Sequence, residues 1–588
     1  MLKNLLVVLL LLPLFALPSA QAKRRNITLV LFNGKIFTAD EKFTIVEAVA
    51  VDGEQIVGVG TNAEIKAKFQ GVRAIDLQGK LVTPGFNDAH VHFLRGALAL
   101  LTVNLLDIKT LAEAQNKVAA KAKETKPGEW IIGRGWDHTV WGQNFPTKND
   151  LDKITPNNPV YLVRIDGHVA WVNSAALKLA GIDRTTKNPE GGEIERDSSG
   201  EATGILKETA QELIAKLIPP PDAAMQRRAL ENALDVARKY GITSIQDNSG
   251  YETTKFYREF LRADKLTVRV AEWQDFEDPI AEIKRQRAEF DSFKDDRNRL
   301  KLTALKGYVD GTLGSKTASM LAPFTDDHNN VGIMRHTPEE LTRMIVERDA
   351  AGFQIALHAI GDKANRMALN GFIAAAENHT PKLLQLDPKD DANRNAMVMD
   401  SFAKIMRGIF AIKLKRHRIE HAQVIAPNDF QVFGKLGIIA SMQPSHAITD
   451  KRWAESRLGE YRVLGAYAWH LMKSYGVHVP FGTDFPVESI NPYRTLYAAV
   501  ARQDETGDPA GGWQPQEKLG IAEAIRCHTF ESAYAEFAET EKGEIKPGML
   551  ADLVIHSKDL LTIKPKEILT TEPVYTIFNG KIVYEKRN

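Results

Sequence analysis

The chain has 588 residues, 44% of them apolar and 26% charged, and carries a net charge of +1. That length supplies a large core and more than one domain, and the composition is that of a globular protein rather than a disordered or fibrous one. So balanced a charge gives no basic footprint for nucleic acid and no acidic tail, so no charged polymer is expected as partner; the small-molecule substrate expected instead follows from the site residues below.

Residues 1–22 read as a secretory signal peptide. Lys3 gives the positive start, Leu5 to Leu17 form an apolar run broken only by Pro13, and Ala20 and Ala22 supply small residues for cleavage. The run is too short to span a bilayer, so the mature chain is expected to begin near Lys23 in the periplasm or medium, without stable membrane insertion. The single cysteine, Cys527, allows no internal disulfide and is expected to be a small buried residue.

From Ile27 to Leu81, short apolar runs alternate with turns, as in "LVLFNGKIFTAD" and "AVAVDGEQIVGVG", which predicts antiparallel strands. The C-terminus returns to this style, and "FNGKIF" at Phe32 nearly repeats as "FNGKIV" at Phe578. Both ends are therefore expected to build one small β-sandwich domain from residues 23–82 and 541–588.

Between them, in 83–540, eight segments end in strand-like runs: 87–93, 242–248, 267–273, 302–311, 353–362, 417–423, 437–446 and 477–486. Helical patterns separate them, such as "TPEELTRMIVERDAAG" before the fifth. This α/β alternation predicts a (β/α)8 TIM barrel with its chemistry at the C-terminal strand ends. Residues 94–240, between strands one and two, far exceed one crossover helix and read as an inserted subdomain over the barrel mouth. Acidic "LDPKDDAN", 386–393, is expected to be an exposed loop.

The first strand ends in "GFNDAHVHF". Residues i and i+2 share a strand face, so His90 and His92 project together. An isolated pair of this kind is usually just polar surface. Here further polar residues recur at the other strand ends: Lys306, His358, His421 and Asp484. Four imidazoles and a carboxylate converging on one mouth suit Zn²⁺ or a similar divalent ion.

The motifs "PGFNDAHVH", "LHAIGDKAN", "RIEHAQ" and "GTDFPV" resemble the third branch of the amidohydrolase superfamily, and within it the YtcJ-like group that includes N-substituted formamide deformylase. The resemblance covers nearly the whole mature chain. It implies that His90 and His92 bind one metal and His358 and His421 a second, with Asp484 both ligating the first and moving a proton. It also places Lys306 where the family often has a carboxylated lysine bridging two ions. The activity implied is hydrolysis of a non-peptide C–N bond, in an amide, N-formyl or N-acyl amine, by metal-activated water with Asp484 as general base.

Within the insertion, "RIDGHVAWVN" offers Arg164, His168 and Asn173 to polarise a substrate carbonyl, although His168 serves equally well in a structural hydrogen bond. Trp136 and Trp171 offer an apolar wall for the substrate or a core for the insertion. Glu420, on the opposite strand face from His421, reads as structural. A heterocycle deaminase, a dipeptidase and a non-catalytic exported binding protein are the competing readings. Substrate identity, the number of metal ions and any homo-oligomer are not encoded in these motifs.

Overall fold

A computed structural model describes residues 24–106, 108–142, 144–164, 167–379 and 405–587. The expected signal peptide and the acidic loop at 386–393 lie outside these residues.

Seven strands form one parallel sheet in sequence order: β1 (Phe86–Val91), β2 (Ile242–Asp247), β3 (Arg269–Asp275), β4 (Leu300–Tyr308), β5 (Gln354–Ala359), β6 (Arg418–His421) and β7 (Ile439–Ser441). Strands such as β2 "ITSIQD" and β5 "QIALHA" are buried at every position, as expected when helices cover one face and a packed barrel interior the other. The helix expected before the fifth strand runs Pro338–Ala350, started by a capping box between Thr337 and Glu340. The helix before β2, Ala223–Lys239, is capped by Asp222 and buries Ala229, Leu230, Ala233, Leu234 and Ala237 along one stripe.

The eighth strand was expected at 477–486, but that segment forms no ladder. It nearly closes the barrel through isolated parallel bridges, Val91 to Phe485 and Met442 to Phe481. Asp484 N donates to His90 O at 2.8 Å, and His92 N donates to Phe485 O at 2.8 Å. Two features prevent regular pairing. Gly482 runs so close to β1 that a Cβ there would meet His90 N at 2.6 Å, and Asp484 adopts a left-handed φ of 56°.

Strands from the two ends of the chain share one six-stranded sheet. Ile45–Val46, Lys35–Phe37 and Leu81–Pro84 come from the N-terminal part; Leu553–His556, Pro573–Phe578 and Lys581–Glu585 come from the C-terminal part. A four-stranded sheet from residues 25–76 lies beside it. Leu29, Leu31, Val49 and Val51 of the four-stranded sheet and Ile36, Leu553, Ile555 and Ile577 of the six-stranded sheet make a common core. The twin "FNG" turns do different work. Asn579 and Gly580, both at positive φ, close a hairpin within one sheet, whereas Asn33 and Gly34 carry the chain from one sheet into the other.

Residues 103–208 contribute a fourth sheet, of six strands. Cys527 is buried, as expected. Among the described residues, no helix is long and apolar enough to cross a membrane.

Candidate metal centre

The mouth is built from β1 inward. His90 is fully buried, and its Nδ1 donates to Glu420 Oε2 at 2.6 Å, which leaves Nε2 facing Asp484 Oδ1 at 3.5 Å. His92 Nδ1 faces the carbonyl of Asn248 at 3.2 Å, and its Nε2 lies 3.2 Å from the same Asp484 oxygen. The ligand atoms of His90, His92 and Asp484 all fall within 4.8 Å of one another, and so do those of His421, His446 and Asp484. His421 and Asp484 both have a left-handed φ, 73° and 56°, a conformation uncommon for residues other than glycine and frequent at functional sites.

His421 Nδ1 bonds Gln443 Oε1 at 2.7 Å, and its ring lies 4.6 Å from that of His358 and 5.2 Å from that of His90. His358 belongs to neither three-residue group. Its Nε2 faces the carbonyl of Gly311 at 3.0 Å, so only Nδ1 remains for an ion. Lys306 is buried, with Nζ 3.4 Å from His90 Nε2 and 4.8 Å from the ring of Tyr308.

The electrostatics favour a cation. Burial first, then the charge of Lys306, push His90 down to about 4 and His358 down to about 3. Burial and His358 hold His421 well below the usual imidazole range. These rings are therefore neutral near pH 7, the form that binds metal. Burial pushes Lys306 down to about 8. Burial raises the Asp484 carboxyl, but His92, His90, His421 and His446 outweigh it and keep the group ionised. Asp484 Oδ1 and His446 Nε2 are nevertheless buried with no hydrogen-bond partner among the described residues. A buried carboxylate oxygen without a hydrogen bond, beside the ring nitrogens of His90 and His92, fits a divalent ion better than any protein donor present.

Beneath His90, Arg418 ion-pairs with Glu420 at 2.5 Å, donates to Ala89 O and Ser441 Oγ, and stacks over Trp273. Glu420 is thus more than a structural side chain: Arg418 and His90 hold it ionised against burial, and it fixes the tautomer of His90.

The residues expected to bind substrate from within 94–240 make the following contacts. Trp136 and Trp171 are fully buried in one apolar cluster with Val103, Leu162 and Ile205, with rings 6.1 Å apart. Their indole N–H groups donate to Leu162 O and Thr147 O, which ties both rings into the six-stranded sheet of residues 103–208. Asn173 is buried as the N-cap of helix Ser174–Leu179 and also holds Val160 and Asn158. Arg164 pairs with Asp137 at 3.0 Å. His168 faces Glu208 at 3.0 Å, with its side chain 65% exposed. Among the described residues, neither Arg164 nor His168 makes a hydrogen bond or ion pair to the cluster.

Sequence reasoning also passed over His446. It ends the expected strand segment 437–446, but that strand stops at Ser441 and His446 sits in the first turn of helix Pro444–Arg462, a turn back towards the mouth that the string does not show.

Residues 73–584 match the model of the amidohydrolase family. The chain is similar to the putative amidohydrolase YtcJ of Bacillus subtilis, with 30% identity over 94% of this chain and 98% of that protein. It is similar to the N-substituted formamide deformylase of Arthrobacter pascens, with 26% identity over 95% of this chain and 98% of the relative. An uncharacterized metal-dependent hydrolase from Pyrococcus horikoshii superimposes with a TM-score of 0.69 at 25% identity, covering 91% of this chain and 99% of that one. Barrel, histidine–aspartate mouth and these likenesses agree: the chain belongs to the amidohydrolase family of metal-dependent hydrolases.

Proposed function

We propose that the barrel mouth hydrolyses a non-peptide C–N bond in a small amide, N-formyl or N-acyl amine. One observation carries this reading: the buried, hydrogen-bond-free Oδ1 of Asp484, 3.2 Å from His92 Nε2 and 3.5 Å from His90 Nε2. His90, His92 and Asp484 would hold one divalent ion, read as zinc, and His358 and His421 a second. When bound, such an ion acidifies water and polarises a carbonyl. As an ammonium, Lys306 would donate to the His90 nitrogen that a cation needs; carboxylated, it offers an anionic oxygen instead.

Asp484 handles the proton. It is ionised and within reach of the mouth, so it takes a proton from the attacking water and gives it to the departing nitrogen. The relative named as an N-substituted formamide deformylase supports N-formyl amines as the first substrates to try. The same reading includes export, with residues 1–22 removed. It also takes the terminal strands as one small β-sandwich domain (23–82 with 541–588), and residues 94–240 as an insertion into the barrel of 83–540.

Purified protein, analysed for metal and screened against N-formyl and N-acyl amines, dipeptides and amino-heterocycles, tests the reading. Expected are bound zinc and hydrolysis of an N-formyl or N-acyl amine. Asp484→Asn should keep at least part of its metal while kcat falls by at least about 10²-fold and the acidic limb of the pH–rate profile disappears. Near-normal turnover by that variant, or activity confined to dipeptides or heterocycles, overturns the reading.

A further inference from the structure

Five imidazoles gather at the mouth, and the second nitrogen of each ring divides them into two kinds. His90 Nδ1 meets Glu420, His92 Nδ1 the carbonyl of Asn248, His421 Nδ1 Gln443, and His358 Nε2 the carbonyl of Gly311. A partner at one nitrogen sets the tautomer and aims the other, which is how metal-ligating histidines are held. His446 is different. Among the described residues neither of its ring nitrogens makes a hydrogen bond, although Nε2 is buried 3.6 Å from Asp484 Oδ2. The ring is still held in place, stacked on His421 at 5.8 Å and 22°. Its backbone N–H donates to Gln443 O at 3.0 Å, so the residue that aims His421 also seats His446.

We infer that His446 is a catalytic residue that touches the substrate: Nε2–H donates to the oxygen of the scissile carbonyl. The inference rests on the hydrolase reading above. As the water oxygen bonds to the carbonyl carbon, one water proton passes to Asp484 and the π pair moves onto the oxygen held by His446. That pair then returns, the C–N bond breaks, and the proton on Asp484 leaves with the nitrogen. The products are a carboxylic acid and an amine. A carbonyl oxygen in this place lies beside the base, on the far carboxylate oxygen from His90 and His92.

The test uses His446→Ala and His446→Gln in the full metal-loaded protein. Metal content, kcat and KM are measured, together with acetate and formate titrations that need no known substrate. His446→Ala should keep the wild-type metal content while kcat falls about 10²- to 10³-fold, the usual loss for one oxyanion donor. His446→Gln, which restores an N–H, should recover part of that rate. Anion affinity should weaken about tenfold in His446→Ala, in keeping with one lost hydrogen bond to a charged group. Loss of a metal equivalent in His446→Ala makes His446 a ligand and overturns the inference; unchanged turnover with full metal also overturns it. If the wild-type protein hydrolyses nothing in the panel, the hydrolase reading fails by itself, and the titrations still decide: equal anion affinity in both proteins overturns the role of His446.

Discussion

His90 shows how much one side chain depends on the residues behind it. Its Nδ1 bond to Glu420 and the Arg418–Glu420 ion pair form a chain of charge running from the barrel interior to the mouth. Glu420→Gln keeps the shape but removes the anion that orients His90. Metal affinity measured by competition with a chelator should fall about 10- to 100-fold, the usual loss when such a backing group is removed; a folded variant with unchanged affinity would show that Glu420 serves only Arg418. His90, His92, His421 and Asp484 were legible because barrel topology brings strand ends together whatever their distance in sequence. Glu420 was legible only in hindsight. Alternation in "RIEH" puts Arg418 and Glu420 on one face, but nothing in the string says that this face meets His90. Trp136 and Trp171 were ambiguous in the string, since a substrate wall and the core beneath a small sheet call for the same aromatic side chains.

At the scale of an element, the informative piece is the segment that lacks a ladder. Between Phe481 and Phe485 the chain is fastened to β1 by backbone bonds and by Asp88, whose carboxylate accepts from Thr483 N at 2.9 Å and Thr483 Oγ1 at 2.6 Å. Seven barrel strands were recognisable from β-branched runs between helical patterns. The eighth had the same apolar run, but the close approach at Gly482 and the left-handed turn at Asp484 are tertiary facts that no local pattern carries. The consequence is testable at one atom. Gly482→Ala places a methyl 2.6 Å from His90 N and 3.0 Å from Asp88 Oδ1, so the backbone must move. Thermal unfolding should show a loss of about 1–3 kcal/mol, the range for overpacking, accompanied by reduced metal content. A variant with wild-type stability and metal content would mean that the segment yields freely and that its tight seat does not shape the site.

The molecule as a whole depends on how the terminal sheets are fixed to the barrel. Arg269 on β3 makes a buried, two-pronged pair with Asp552, at 2.6 and 3.0 Å, and also reaches Asn579 of the second "FNG" turn. Near it, His556 is fully buried, with Nε2 2.9 Å from Thr83 Oγ1 and Nδ1 2.8 Å from Tyr493 OH. The near-repeat of "FNGKI" pointed to two ends meeting, but not to which side chains lock them against the barrel. Burial pushes His556 down to about 3 from an ordinary value of 6.5. A histidine with a depressed folded value is neutral in the native state and takes up its proton on unfolding. Its contribution to stability is therefore complete above about pH 6.5 and is lost as the pH falls towards 3, by up to about 1.4 kcal/mol per pH unit. His528, pushed down to about 4 by burial, acts in the same direction. His556→Gln can still bond Thr83 and Tyr493 but has no proton to gain. Denaturant unfolding between pH 7 and pH 4 should show a smaller decline in this variant than in the wild-type protein. Parallel declines would place the acid sensitivity elsewhere and remove His556 as the group that couples the terminal sheets to pH.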